Sequence, residues 1–141
     1  MVILLNTIFP LLMIAATAFI LTGLKIAIFR MFNFICDRAV WKEYLIYHVI
    51  VIIGAIIIPI SIFGIDAELT FLILNVILPI LTVFIFIEYF YFYKKHFSYE
   101  SRNRYILSLI VSYLINFMVL NVLLYVYLAL LLLLLSLITI L

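Results

Sequence analysis

Two side chains of opposite charge stand inside long apolar runs of this sequence, Lys25 toward the end of the first run and Glu88 within the third. Ionisable groups so placed are costly to desolvate, and they pair, carry protons or ions, or snorkel to the membrane surface. Glu88 lies six residues inside the Lys94 end of its run, roughly 9 Å by helical rise. His48 stands about one turn inside the start of the second run. Successive runs alternate in direction, so Lys25, His48 and Glu88 can meet at one depth as an intramembrane polar cluster. Three readings stay open. Lys25 snorkels and Glu88 reaches a tyrosine-lined headgroup zone, or the two form a structural ion pair with His48 nearby, or the cluster relays protons or ions.

His48 and His96 raise a second chemistry, axial ligation of a haem b between helices. His96 follows Lys94 and Lys95 and belongs to an aqueous loop shallower than His48, so a hydrogen-bonded interfacial histidine is the better reading. The single cysteine, Cys36, excludes an intrachain disulfide and a multi-cysteine metal centre. No nucleophile–base pair, phosphate loop or HExxH spacing occurs. Autonomous catalysis is therefore not expected, nor is a metal or a cofactor beyond structural lipids.

The elements that must position these groups are helices. With 141 residues, 72% hydrophobic and 10% charged, the chain is far more apolar than a soluble domain. The expectation is all-α: one polytopic domain of about four transmembrane helices, near 2–24, 44–63, 70–93 and 105–127, with a hydrophobic tail at 128–141. The apolar start has no positive n-region or small-residue cleavage site, and reads as a retained span. Trp41, Tyr44, Tyr89, Tyr91, Tyr93, Tyr105, Tyr125 and Tyr127 are expected as interfacial anchors. Between Lys25 and Asp37 the polar residues Arg30, Asn33 and Asp37 recur at helical spacing. This stretch either lies in the interface plane or continues the first helix out of the membrane.

Packing surfaces are expected where small or weakly polar residues line up. Ala15, Ala16, Phe19, Ile20, Gly23 and Ala27 share one face of the first helix, and small residues permit close helix approach. In the last helix Ser108, Ser112 and Asn116 recur every four residues and read as a packing face. Asn75, Asn116 and Asn121 are single polar groups suited to interhelical hydrogen bonds.

All eight Lys and Arg lie near the first or third connection, whereas the second, Gly64 to Glu68, holds only the acids Asp66 and Glu68. Basic residues mark the cytoplasmic side, so both termini and Asp66 are expected on the opposite side. A net charge of +2 with no basic run beyond Lys94-Lys95 gives no nucleic-acid footprint.

The composition, rich in Phe, Tyr, Ile and Leu and holding only three Gly, is similar to that of short organelle-encoded or AT-rich-genome subunits of respiratory complexes and ATP synthases. The pair Gly54-Ala55 resembles the Gly-Ala helix of a small proton-pumping dehydrogenase subunit. The resemblance implies a small accessory subunit of an energy-transducing complex, in a mitochondrial inner or prokaryotic cytoplasmic membrane, among lipids and other integral subunits. It is one of composition and carries over no functional residue. The alternatives are a small oligomeric ion or proton transporter or channel using Glu88, or a haem b anchor. The uncharged 14-residue tail, too short to cross again, is expected to extend the last span as a long tilted hydrophobic helix, to lie along the far leaflet in lipid, or to be covered by a partner subunit.

Overall fold

The computed structural model describes residues 7–63 and 73–140. The loop expected at Gly64 to Glu68 lies outside the described residues, as do the outermost residues of the first and third expected spans and Leu141. Among the described residues all regular structure is helical. The order is α1 (Phe9–Met31), α2 (Arg38–Ile52), a π turn (Ile53–Ile57), α3 (Ile58–Phe63), a second π turn (Ile73–Ile77), α4 (Leu78–Phe92), a third π turn (Tyr93–Phe97) and α5 (Arg102–Ile140). Three helical stretches, Phe9–Met31, Asn75–Phe97 and Arg102–Leu137, are long and apolar enough to cross a membrane. They mark a membrane-embedded protein. The second expected span falls in the helical run formed by α2, its π turn and α3.

Proline places two of the π turns. Pro59 and Pro79 each follow a π turn by two residues. Proline has no N–H, and its ring crowds the carbonyl four residues back, here that of Ala55 or Asn75. A wider turn accommodates this without breaking the rod. Gly54 lies in the first of these turns, where the Phe84 ring of α4 comes within 3.3 Å of the point a Cβ would occupy. Its missing side chain is what lets α4 approach.

The first helix does not stop near residue 24. It continues to Met31 and ends in a Schellman motif, so the stretch from Lys25 onward is an extension of α1, not a separate interfacial helix. Asn33 adopts φ 63°, a left-handed conformation that asparagine tolerates better than most residues. The Asn33 N–H donates to the Arg30 carbonyl at 2.9 Å and the Phe34 N–H to the Phe29 carbonyl at 3.0 Å. The Phe29 and Phe34 rings meet at 5.5 Å, the hydrophobic contact that accompanies this cap. The chain then re-enters helix at Asp37, whose carboxylate accepts from the Val40 N–H at 2.9 Å, a standard N-cap.

An aromatic core occupies the end of the bundle where these loops lie. Phe29 is fully buried and makes ring contacts with Phe34, Tyr44, Phe97 and Tyr105 at 5.4–5.8 Å. Tyr44 and Tyr105, expected as interfacial anchors, are fully buried in this core. Tyr44 stacks on Phe92 at 4.0 Å. Trp41, Tyr89, Tyr91, Tyr93, Tyr125 and Tyr127 all keep some exposure on the outer surface.

The packing face of α1 is the reverse of the small-residue expectation. Thr17, Ala18, Leu21, Thr22, Lys25, Ile26, Ile28 and Phe29 are buried. Ala15, Ala16, Phe19, Ile20, Gly23 and Ala27 face outward, and nothing lies within 4 Å of a Cβ built on Gly23. Both faces of α1 are apolar enough for lipid, so the polar groups decide which turns inward. In α5 the stripe Ser108, Ser112 and Asn116 is buried. Asn121 bonds back to its own helix, to the Phe117 carbonyl at 2.8 Å.

The tail continues the last helix, as the long-helix expectation has it. α5 runs 39 residues without interruption, about 58 Å at 1.5 Å per residue. Its second half carries Tyr125, Leu128, Leu132 and Leu133 on an open surface.

Candidate functional site

Lys25 and Glu88 are brought into contact inside the bundle. Lys25 Nζ donates to Glu88 Oε1 at 2.5 Å, and neither side chain has any solvent-accessible surface. The other carboxylate oxygen, Oε2, accepts from the Tyr113 hydroxyl of α5. Both oxygens of Glu88 are therefore satisfied by named donors. The Lys25 ammonium also lies over the rings of Tyr113, Tyr44 and Tyr47, at 4.3, 5.2 and 5.7 Å from their centroids. A desolvated ammonium gains about 2 kcal/mol or more from a ring face so placed. Three ring faces and one carboxylate together replace its water.

His48 joins through Thr22 and does not touch the pair by a hydrogen bond of its own. Thr22 Oγ1 donates to the Ala18 carbonyl at 2.7 Å and lies 2.9 Å from His48 Nδ1. The threonine has one proton and gives it to Ala18, so Nδ1 of His48 carries the hydrogen and donates to Thr22. His48, Thr22 and Lys25 thus share the buried face of α1 and α2.

Tyr47 extends the network. Its hydroxyl donates to the Phe84 carbonyl at 2.9 Å and lies 3.2 Å from the Tyr113 hydroxyl. Two phenolic protons serve three contacts here. Whenever Tyr113 donates to Glu88 and Tyr47 to Phe84, the Tyr47–Tyr113 contact holds no proton. Tyr44 and Tyr105 bring two further hydroxyls into the buried core. Both are buried and lack a hydrogen-bond partner among the described residues, as does Asn116 Oδ1.

Through these groups each pair of the four helical rods meets, five of the six pairs by a hydrogen bond and α2–α5 by the Tyr47–Tyr113 contact. Thr22–His48 joins α1 to α2, Lys25–Glu88 joins α1 to α4, and Thr17–Tyr127 at 2.8 Å joins α1 to α5. Tyr47 links α2 to α4 through Phe84 and meets Tyr113 of α5, while Glu88–Tyr113 joins α4 to α5. At the loop end Glu43 takes Lys95 Nζ at 2.7 Å and His96 Nε2 at 2.9 Å. The His96 bond, then Lys95, hold the Glu43 carboxyl below the ordinary glutamate range. Burial pushes the Cys36 thiol up to about 11.

The two histidines are not set across a shared gap. A run of ring contacts, His48–Tyr44–Phe92–His96, connects them, with Tyr44 and Phe92 stacked in its middle. A haem held by both imidazoles would have to displace those rings. Among the described residues no three His, Cys, Asp or Glu side chains group to hold a metal ion. Tyr44, Tyr47 and Tyr113 are the site residues that sequence reasoning missed as such. One signal was available for Tyr113: it lies eight residues inside Tyr105, at a depth where a phenol needs a protein partner.

No family model matches the chain, and neither a curated relative nor a solved structure of similar fold is found.

Proposed function

We propose that this protein is a small integral subunit of a multi-subunit membrane complex, most consistent with an energy-transducing assembly of a mitochondrial inner or prokaryotic cytoplasmic membrane. Its work is scaffolding and contact with lipids and other integral subunits. The observation that carries this reading is the use of the ionisable groups as fasteners: Lys25 and Glu88 are fully buried and satisfied by each other and by tyrosines. A second support is the outer surface, where the far half of α5 offers Leu124, Tyr125, Leu128, Leu132 and Leu133 with no charge. In water such a patch would be an aggregation liability; in a complex it is an interface.

The same reading places four spans in the membrane, with the basic loops on the cytoplasmic or matrix side and both termini opposite. The Glu43–Lys95 and Glu43–His96 bonds support this, because they bring the first and third connections to one end of the bundle. A proton relay is the second reading, favoured by the run of close polar contacts Tyr47–Tyr113–Glu88–Lys25.

Blue-native electrophoresis of native membranes tests the proposal, comparing the full chain with one lacking residues 128–141. The full chain is expected only in a large assembly, and the truncated one inserted but depleted from it. A stable small homo-oligomer would overturn the subunit reading. Glu88→Gln that assembles fully yet loses a proton-coupled activity would promote the relay.

A further inference from the structure

We infer that the outer face of α4, at its lysine end, binds an anionic phospholipid. Val83, Phe86, Ile87, Phe90 and Tyr91 line a shallow, open apolar groove on α4. Phe90 and Tyr91 also line a cleft of about 380 Å³ together with Lys94 and Lys95. The two share Phe90 and Tyr91, so an apolar face of the helix runs up to a cationic end. From Val83 to Lys94 is eleven residues, about 16 Å by helical rise. That matches one leaflet of hydrocarbon, about half of the ~30 Å core.

The two lysines have different roles. Lys95 is engaged, with Nζ 2.7 Å from Glu43 Oε1 and 2.9 Å from the Tyr91 hydroxyl, so it braces the ring that forms the groove wall. Lys94 is exposed and has no acidic partner among the described residues. Lys94 is thus the cation left for a ligand, and it stands where a headgroup phosphate would lie if acyl chains filled the groove. A neighbouring helix seated here would have to bring an acid to the same level. A phospholipid brings its phosphate there by the length of its own chains. The surrounding field helps: besides Lys25, seven basic side chains flank the first and third connections against the acids Asp37, Glu43 and Glu100, and such a basic membrane-surface cluster attracts anionic lipid. This inference needs the membrane placement but not the subunit role, so its failure leaves the preceding proposal standing.

The test is thermal unfolding of the purified full-length protein in neutral detergent, titrated with phosphatidylglycerol or with phosphatidylcholine of the same chains. Phosphatidylglycerol is expected to raise Tm at lower concentration than phosphatidylcholine. Lys94→Gln should raise the half-saturating phosphatidylglycerol concentration about fivefold, the factor implied by about 1 kcal/mol per lysine near an anionic surface. Ile87→Trp, which fills the groove from an exposed position, should abolish the response while leaving the lipid-free Tm in place. Arg104→Gln, which removes one charge of the surrounding field but none from the cleft, should shift the half-saturating concentration clearly less than Lys94→Gln. Equal responses to the two lipids, equal losses in Lys94→Gln and Arg104→Gln, or displacement of the lipid by inorganic phosphate alone would overturn the site. A concentration-dependent dimer in lipid-free detergent that Ile87→Trp abolishes would instead assign the groove to a second copy of the chain.

Discussion

Lys25 exchanges its water for one carboxylate oxygen and three ring faces, and Glu88 exchanges its own for an ammonium and a phenol. Removing one member of a buried pair leaves the other uncompensated, at a cost of about 3–5 kcal/mol, whereas replacing both with apolar groups is often neutral. Lys25→Met is therefore expected to destabilise the bundle by about that amount. Lys25→Met combined with Glu88→Leu should recover most of the loss. Unfolding in mixed micelles measures both, and a double variant no better than the single would mean that the pair is more than a fastener. Glu43 makes the pH-dependent contact at this scale. Its carboxyl is held low by His96 and Lys95, so its stabilisation is complete above the ordinary glutamate pKa of about 4.3. That stabilisation is lost as pH falls through the lowered value in the folded protein. Tm profiles of wild type and Glu43→Gln should differ above that range and converge below it. Profiles separated by a constant gap down to pH 2 would rule the linkage out.

At the scale of elements, the turn between α1 and α2 decides how the bundle closes. The left-handed Asn33 ends α1 and swings Phe34 back onto Phe29, while Asp37 starts α2. A β-branched residue in that conformation costs about 1–2 kcal/mol, and glycine carries no such penalty. Asn33→Val is expected to lower stability by about that amount and Asn33→Gly to be tolerated, as read by thermal unfolding with helix content followed by circular dichroism. Equal stability of the two variants would show that the cap geometry contributes nothing. The π turns act at the same scale. Each proline-linked turn keeps its rod continuous, and the one at Gly54 also lets Phe84 of α4 close in.

For the whole molecule, a polar cluster set beside the aromatic core and an apolar exterior along the helices depart from the arrangement of a soluble domain. Thr17, Thr22, Lys25, His48, Glu88, Ser108 and Ser112 are buried, and away from the exposed basic residues at the loop end the surface is largely aliphatic and aromatic. Such an object is stable where its surroundings are lipid or other apolar protein. The proposed threading is checked by single-cysteine labelling in a Cys36→Ser background. Asp66→Cys and Arg38→Cys should react with an impermeant maleimide from opposite sides of the membrane. Labelling of both from the same side would refute it.

From the sequence alone follow helices throughout, membrane embedding and the short roster Lys25, His48 and Glu88, because long apolar runs leave the chain no other solvent and make each interior charge conspicuous. The roster did not say which of snorkelling, pairing or relay holds. That depends on whether Tyr113, 25 residues further on, arrives at the second carboxylate oxygen, which is a matter of how α5 lies against α4. The inward face of α1 was equally beyond the sequence. In a helix apolar on every side, hydrophobic periodicity carries no information about packing, so the small residues Ala15, Ala16 and Gly23 pointed the wrong way. Thr17, Thr22 and Lys25 turned inward because their polar groups find partners only inside the bundle. The end of α1 was hidden for a similar reason: Arg30, Asn33 and Asp37 keep helical spacing, and only the packing of Phe34 onto Phe29 selects the left-handed Asn33 that stops the helix.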